Sequence, residues 1–337
     1  GLRTAHLLAH DVDDDPLVNV TTEFTGSFAP RFEVVQKAAA VIPEIAAESW
    51  EISGVDENVS VVSEGFLKGN ALDELISVYM GDLTGDRVFE RFGTEFPVLI
   101  KFIDAREPLS VQVHPGDAFA ARVHNDRGKT EMWYVIDADE GAELISGFKR
   151  DVDEKVFMEQ LNGKKLPEIL NYEPVKQGDV FFLPAGRIHA IGKGIVLAEI
   201  QQTSNITYRI YDWDRVDKEG KGRELHLDLA LQVMDYKRRD DIRTQYDRIP
   251  NKTVNLADCP YFTSSLIEFD QPVDKDFALI DSFVVYICSE GEMMVNYTGG
   301  NPVSLSKGET ILVPAALKEI SLIPACPSTV LEVYMKA

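Results

Sequence analysis

The sequence predicts a mainly β chain, with two antiparallel β-sandwiches or barrels and a small helical insertion. Three observations lead there. Between Phe96 and Trp213, short aromatic and β-branched runs are bounded by Gly, Pro, Asp and Asn, which is the punctuation of antiparallel strands rather than of βαβ units. The same pattern resumes between Tyr261 and Val313, after a polar stretch. At 337 residues the chain is long enough to build two cores.

Taken in order, residues 1–45 are the least patterned part, with an acidic turn at Asp11 to Asp15 and a candidate strand at Val18 to Phe24. They carry no functional signal. A first unit is expected over 46–245, with strands at Phe96 to Ile103, Leu109 to His114, Glu131 to Asp137, Asp179 to Leu183 and Gly194 to Gln201. Two stretches break the strand pattern. From Val152 to Asn171, Val156, Phe157, Leu161, Leu166, Ile169 and Leu170 recur at roughly helical spacing, and Leu225 to Tyr236 reads the same way. Tyr246 to Thr253 is polar enough to be a linker. A second β unit is expected over 254–337, with strands at Tyr261 to Phe269, Ala278 to Cys288, Glu292 to Tyr297 and Glu309 to Val313.

Composition narrows the partners. Acidic residues number 56 and basic residues 34, a net charge of −22 that opposes nucleic acid and anionic membranes at long range. A phosphorylated substrate would need a local pocket of Arg and Lys against that field. No apolar run approaches the roughly eighteen residues that would span a bilayer. Cys259, Cys288 and Cys326 form no Cys-x-x-Cys pair and suit buried thiols in a reducing compartment. The first ten residues lack the pattern of a secretory signal, so a cytoplasmic protein, or one whose leader has been removed, is expected. Oligomeric state has no signal in the sequence.

Chemistry concentrates in three segments. In Leu109-Ser-Val-Gln-Val-His114, alternation puts Ser110, Gln112 and His114 on one face and Val111 and Val113 on the other, the pattern of a strand facing either solvent or a site. In Lys129-Thr-Glu-Met-Trp-Tyr-Val135, Glu131 shares a face with Trp133 and Val135; an acid so placed is expensive to bury unless it is paired or metal-bound. In Gly178-Asp-Val-Phe-Phe-Leu-Pro-Ala-Gly-Arg-Ile-His189, Pro184 and Gly186 tighten a turn before His189. A lone His is more often a core or surface residue than a ligand.

Together, the segments resemble the two motifs of the cupin superfamily: Gln112-Val-His114 with the downstream Glu131 as the first, and Gly178 to His189 as the second. On that resemblance the units become two cupin (jelly-roll) β-barrels, and Gln112, His114, Glu131 and His189 converge inside the first as a mixed N/O metal site. Zinc is favoured, while iron, nickel, cobalt and manganese accept the same donors. No His follows His226, so the second unit is expected to be a degenerate cupin without a metal.

The resemblance extends to one family. Glu48-Ser-Trp-Glu-Ile-Ser-Gly54, Phe102-Ile-Asp-Ala-Arg106, Gly128-Lys-Thr-Glu-Met-Trp-Tyr-Val135, Pro184-Ala-Gly-Arg-Ile-His-Ala190 and Glu199-Ile-Gln-Gln202 through Thr207-Tyr-Arg-Ile-Tyr-Asp-Trp213 are similar to the short bacterial form of type I phosphomannose isomerase. The similarity runs from about residue 46 to the end. It implies the same four metal ligands, substrate contacts from Ser110, Lys129, Glu199 and Arg209, and a further active-site Lys at Lys101. Two departures stand out: Ser204-Asn205 replaces the family's Ser-Asp, and its early Trp-Gly-Gly element is absent because no Trp precedes Trp50.

The activity so implied is interconversion of mannose 6-phosphate and fructose 6-phosphate through a cis-enediol, with the metal holding the O1/O2 end of the open sugar. Glu199 or Lys129 would exchange the carbon proton; the reading here takes Glu199 as base and Lys129 as acid. Arg209 and Arg187 are the best phosphate or oxyanion partners, since Arg presents a planar fork of donors. Three alternatives remain open: a cupin acting on glucose 6-phosphate, a metal-dependent oxygenase, and a non-catalytic cupin that only binds a sugar phosphate.

Overall fold

A computed structural model describes residues 18–21, 46–55, 58–63 and 67–336. The described strands make four antiparallel sheets, of seven, five, five and four strands. The expectation of a mainly β chain therefore holds, while the expected barrels take the form of packed open sheets. Among the described residues no ladder of strands closes on itself.

One five-stranded sheet orders Ala46–Ile52, Val98–Ala105, Ile195–Gln202, Glu131–Ala138 and Val180–Leu183. The other orders Tyr208–Tyr211, Val111–Val113, His189–Ala190, Glu143–Phe148 and Leu170–Pro174. Their facing sides enclose one core, in which Ile103, Trp133, Val135, Leu183 and Leu197 of the first sheet meet Leu144 of the second. Alternation along each strand sends the next residues outward. Ile100, Phe102, Met132, Tyr134, Ala198 and Ile200 thus form the opposite face of the first sheet, which packs on the helices Leu72–Tyr79 and Asp86–Phe92 and on Leu266, Val285, Leu312 and Leu331 of the seven-stranded sheet. Val111, Val113, Ile145 and Tyr208 form the outer face of the second sheet. The helical segments Glu154–Asn162, Leu166–Ile169 and Leu227–Val233 cover them through Phe157, Leu166 and Ala230. Beyond these, the far face of the seven-stranded sheet packs on the four-stranded sheet through Tyr286, Ile311, Val295 and Leu322.

Both sheets around the first core are therefore covered on their outer sides among the described residues.

Several sequence expectations need correction. The helix expected over Val152 to Asn171 starts at Glu154, where the Asp153 side chain accepts the Val156 N–H at 2.8 Å, and ends at Asn162. Gly163 and Lys164, whose φ is 58°, turn the chain; a four-residue helix follows, and Leu170–Pro174 pairs as a strand with Glu143–Phe148. The helix expected over Leu225 to Tyr236 is shorter, Leu227–Val233. The stretch expected to link units already turns into the strand Lys252–Asp258. Within the first 45 residues, Val18–Thr21 is a strand that pairs with Thr310–Val313 and Val61–Val62, so the chain's early segment joins the seven-stranded sheet. The acidic turn at Asp11 to Asp15 lies outside the described residues. No described helix is long and apolar enough to cross a membrane.

Candidate active site

Two rows of side chains meet across the gap between the five-stranded sheets. In antiparallel pairs, residues directly opposite one another project from the same face. Across the first sheet the register aligns Trp50, Lys101, Glu199, Trp133 and Phe181, with Glu131, Gln201 and Leu183 level with one another one step along. Across the second it aligns Arg209, Gln112, His189 and Ser146. Since Trp133, Leu197 and Leu183 point into the enclosed core, Lys101, Glu131 and Glu199 point the same way. His114 follows the strand Val111–Val113 directly and His189 opens the next strand. The turn before His189 is held tight by Gly186, whose φ of 88° favours glycine and where a Cβ would come within 2.8 Å of the Val233 carbonyl oxygen.

Three donors converge where the rows meet. His114, Glu131 and His189 are buried, and each offers one ligand atom within 4.8 Å of the others. Glu131 Oε1 lies 3.2 Å from His189 Nε2, and Glu131 Oε2 lies 3.5 Å from His114 Nε2. Each imidazole is fixed through its other nitrogen: His114 Nδ1 donates to the Ile206 carbonyl at 2.9 Å and His189 Nδ1 to the Arg187 carbonyl at 2.8 Å. That leaves both Nε2 lone pairs aimed at the cluster, the orientation that metal-bound histidines take. Gln112 completes the group, its amide nitrogen 3.3 Å from His189 Nε2. A half-turn of the amide presents its oxygen to the same point.

The cluster is unsatisfied by protein alone. His114 Nε2 and Glu131 Oε1 are buried without a hydrogen-bond partner, and Glu131 Oε2 meets the Lys129 ammonium at 3.2 Å. A carboxylate buried in this way is expensive unless a cation meets it. Two neutral imidazoles, a carboxylate and an amide oxygen are a donor set that a divalent metal fits. Burial lowers the pKa of both histidines, His114 well below its usual value with help from the Lys129 charge, and His189 to about 4. Both are thus neutral and ligand-competent at neutral pH. Burial, reinforced by Glu199, pushes Glu131 up to about 7.

Beside the cluster, a second set of charges is interlocked. Lys129 Nζ sits 3.2 Å from Glu131 Oε2 and 4.0 Å from Glu199 Oε1, and Lys101 Nζ is 3.5 Å from Glu199 Oε1 and 3.6 Å from Glu48 Oε2. The Trp133 indole N–H donates to Glu199 Oε2 at 2.8 Å, and the Lys101 ammonium lies 4.6 Å from the centroid of the Trp50 ring. Burial alone would raise the Glu199 pKa, but Lys129, Lys101 and the Trp133 N–H outweigh it and hold the carboxyl below its ordinary value. Burial likewise opposes charge on Lys129, and Glu131 and Glu199 outweigh it, so that ammonium is held above its usual range.

The remaining sequence candidates sit around this centre. Ser110 is buried two residues before Gln112. Arg209 stands opposite Gln112, with Nη1 donating to the Glu224 carbonyl at 3.0 Å and Nε buried without a partner. Arg187 is buried, its Nη2 meeting Asp241 Oδ1 at 3.3 Å while Nε and Nη1 have no partner. The structure thus brings Gln112, His114, Glu131, His189, Lys101, Lys129 and Glu199 into contact, and turns the Arg187 guanidinium towards Asp241.

Comparison with known proteins bears on this arrangement. The family model described as phosphomannose isomerase type I, catalytic domain, matches residues 20–148. The mannose-6-phosphate isomerase of Streptococcus mutans serotype c is 35% identical over 280 residues, covering 82% of this chain and 84% of the relative. The chain belongs to the type I phosphomannose isomerase family. The mannose-6-phosphate isomerase ManA of Bacillus subtilis is 37% identical over 285 residues, covering 82% of this chain and 85% of that one. Among solved structures, the mannose 6-phosphate isomerase of Bacillus subtilis superposes with a TM-score of 0.78 at 26% identity, covering 94% of this chain and 99% of the other. The family match begins well before residue 46, where the sequence resemblance had been placed.

Three members of this centre in the phosphomannose isomerase chain were not singled out from sequence. Trp133 was read only as an apolar neighbour, although its N–H is the hydrogen bond that orients Glu199. Glu48 and Trp50 lay in a recognised motif, but their contact with Lys101 depends on the pairing of Trp50 with Lys101 across distant strands. The signal available was that motif's own mixture of an acid and an indole at alternate positions.

Proposed function

We propose that this chain interconverts mannose 6-phosphate and fructose 6-phosphate through a cis-enediol, with one divalent metal held by Gln112, His114, Glu131 and His189. The observation that carries the reading is the juxtaposition of an unsatisfied N/O donor cluster with a carboxylate and an ammonium held in opposite charge states at its edge. When bound, the metal supplies a Lewis acid that holds and polarises the O1/O2 end of the open sugar. Zinc is our choice of metal, because four mixed nitrogen and oxygen donors suit its tetrahedral preference.

The protein's own groups divide the proton work. At neutral pH Glu199 has no proton and Lys129 keeps its own, so Glu199 is the group able to accept the proton from C2, and Lys129 the group able to donate to or orient the sugar oxygens. A carboxylate held low is a weak base when it takes the proton, but for the same reason it releases that proton readily to C1, and a 1,2-transfer needs both. Trp133 orients the Glu199 carboxylate by donating to Oε2, so that Oε1 faces the Lys101 and Lys129 ammonium groups. Lys101 and Ser110 line the substrate's path, and Arg209 and Arg187 anchor phosphate: both keep buried N–H groups without protein partners, which suits a bidentate anion.

Within this reading the two facing five-stranded sheets form a catalytic cupin jelly roll over 46–245. Residues 254–337 form a second, degenerate one that carries no catalytic group, and the segment 1–45 adds the strand Val18–Thr21 to its seven-stranded sheet. A cytoplasmic location fits three free thiols, Cys259, Cys288 and Cys326. The deciding experiment couples product formation from mannose 6-phosphate to a dehydrogenase readout, on protein whose metal content has been measured. We expect turnover that chelation abolishes and zinc restores. Turnover that survives exhaustive chelation, or sugar-phosphate binding with no turnover in the metal-loaded protein, would overturn the proposal.

A further inference from the structure

Behind the Lys129 ammonium lies a set of contacts that no step of the chemistry uses. Asp117 opens the helix Asp117–His124, three residues after His114. Its carboxylate accepts three hydrogen bonds: Oδ1 from the Gly128 N–H and from Gln202 Nε2, both at 2.9 Å, and Oδ2 from the Tyr261 hydroxyl at 2.9 Å. Gln202 ends the strand that carries Glu199, and its Oε1 accepts the Thr130 N–H at 2.9 Å. The N–H between these two, that of Lys129, donates to the Pro115 carbonyl at 2.9 Å. Three consecutive backbone N–H groups, those of Gly128, Lys129 and Thr130, are therefore tied to the segment after His114 and to the end of the Glu199 strand.

The fit leaves no slack. A Cβ on Gly128 would lie 2.6 Å from the Asp117 nitrogen and 2.9 Å from Asp117 Oδ1, so only glycine lets the loop approach this closely. Gln202, Lys129 and Thr130 are buried, whereas Asp117 is open to solvent on its outer side. Removing the Asp117 carboxylate therefore leaves the fold standing, and the loss falls on the placement of the loop.

We propose that Asp117 and Gln202 are positioning residues that fix the Lys129 backbone and so set the reach of its ammonium towards Glu131 and Glu199. This rests on the isomerase reading above, in which Lys129 orients the sugar oxygens. Neither residue touches the reacting atoms. Their effect arises because a long flexible side chain inherits every displacement of its backbone, and a misplacement of about 1 Å at a catalytic group can cost on the order of a hundredfold in rate.

The test uses metal-loaded parent, Asp117→Ala, Asp117→Asn and Gln202→Leu proteins, with kcat, KM, metal content and hydrogen exchange of residues 126–131 measured for each. Asp117→Ala is expected to lower kcat at least about tenfold while KM stays within about twofold and metal content is unchanged. Exchange should quicken in the 126–131 segment and not in the core strands. Gln202→Leu should do the same. Asp117→Asn should stay within about threefold of the parent, because its amide oxygen still accepts from Gly128 and Gln202 and its NH2 group can donate to the Tyr261 hydroxyl. An Asp117→Ala kcat within about twofold of the parent, or an Asn variant as impaired as Ala, would overturn the inference. A parent that fails to isomerise mannose 6-phosphate would sink the isomerase reading instead, and unchanged exchange at 126–131 in Asp117→Ala would then still refute the clamp.

Discussion

Glu131→Gln should strengthen the metal-free protein while destroying its metal site. In the absence of a metal the Glu131 carboxylate is buried near Glu199, and its pKa rises from 4.5 to about 7 despite the Lys129 ammonium at 3.2 Å. An unfolded chain ionises this group from about pH 4.5 upward, whereas the folded chain holds the proton until about pH 7. The penalty of burying the charge is thus just under about 1 kcal/mol at pH 5, grows as pH rises through that window, and is essentially complete at pH 8. At about 1.4 kcal/mol per factor of ten in proton affinity, the full penalty is about 3 kcal/mol with the Lys129 charge already counted, an upper bound on the variant's gain because glutamine also takes a counter-ion from the buried Lys129. Glutamine keeps the shape without the charge, and its NH2 group can donate to the free Nε2 of His114 or His189. Chelator-treated parent and variant would be unfolded in urea at pH 5 and pH 8, with metal uptake measured in parallel. We expect the variant to be more stable by about 1–3 kcal/mol at pH 8, within about 1 kcal/mol of the parent at pH 5, and to take up no stoichiometric metal. A variant less stable than the parent at pH 8, or one that binds metal as the parent does, would refute the idea that Glu131 is buried for a cation.

Further outcomes follow from the same geometry. His114→Ala and His189→Ala should each lose metal and activity together, while His124→Ala, whose ring meets the Tyr208 hydroxyl at 2.7 Å, should keep both; equal metal content in all three would undo the ligand assignment. Glu199→Gln should keep metal and bind sugar phosphate but lose at least about a hundredfold in kcat, with solvent hydrogen exchange into C2 falling in parallel; exchange at the parental rate would move the carbon base elsewhere. Trp133→Phe removes the N–H donated to Glu199 Oε2, so the Glu199 pKa should rise and the acid limb of the kcat profile should shift to higher pH; an unmoved limb would mean that Glu199 is not the group titrating there. Arg209→Lys keeps the charge but loses the planar fork, and a variant within about twofold of the parent in kcat/KM would remove Arg209 from phosphate recognition.

The strands that line the site were legible because each satisfies two local rules at once. Glu131, Trp133 and Val135 alternate with Met132, Tyr134 and Ile136, and both sets are buried because both faces of the sheet are covered. The strand Leu170–Pro174 failed the other way: Leu166, Ile169 and Leu170 keep helical spacing, yet the backbone groups after Ile169 are claimed by the distant ladder of Glu143–Phe148. Helix Leu72–Tyr79 went unread although Leu72, Leu75, Ile76 and Tyr79 recur at i, i+3, i+4 and i+7, because the stripe spans only two turns. In the site, Gln112, His114, Glu131 and His189 were legible as candidate ligands through the resemblance of their segments to the cupin motifs, since each segment alone reads equally as a solvent-facing strand or a core histidine. The Asp117 and Gln202 contacts had no such signature. They depend on the ends of two elements arriving side by side, which only the folded register determines.

The charge of −22 that argued against phosphate is also reconciled at this level. Lys101, Lys129, Arg187 and Arg209 stand among Glu48, Glu131, Glu199 and Asp241, four positive charges against four negative. Before any metal is counted, the immediate surroundings are balanced, unlike the strongly acidic chain as a whole. Screening decides which of the two a bound anion feels: exposed charges fade beyond about 8 Å at physiological salt, while buried groups are screened far less. The acidic surface therefore acts on approach and the buried Lys and Arg act on binding. This division explains why Lys101 and Lys129 are interlocked with glutamates rather than left alone. Unpaired, the Lys129 ammonium would be pushed towards neutrality by burial; paired with Glu131 and Glu199 it stays charged, and Glu199 stays ionised by its contacts with the two lysines and the Trp133 N–H. The interlock that keeps the Lys129 ammonium charged is thus the one that keeps Glu199 ionised, so a single substitution in it perturbs both groups of the proposed chemistry.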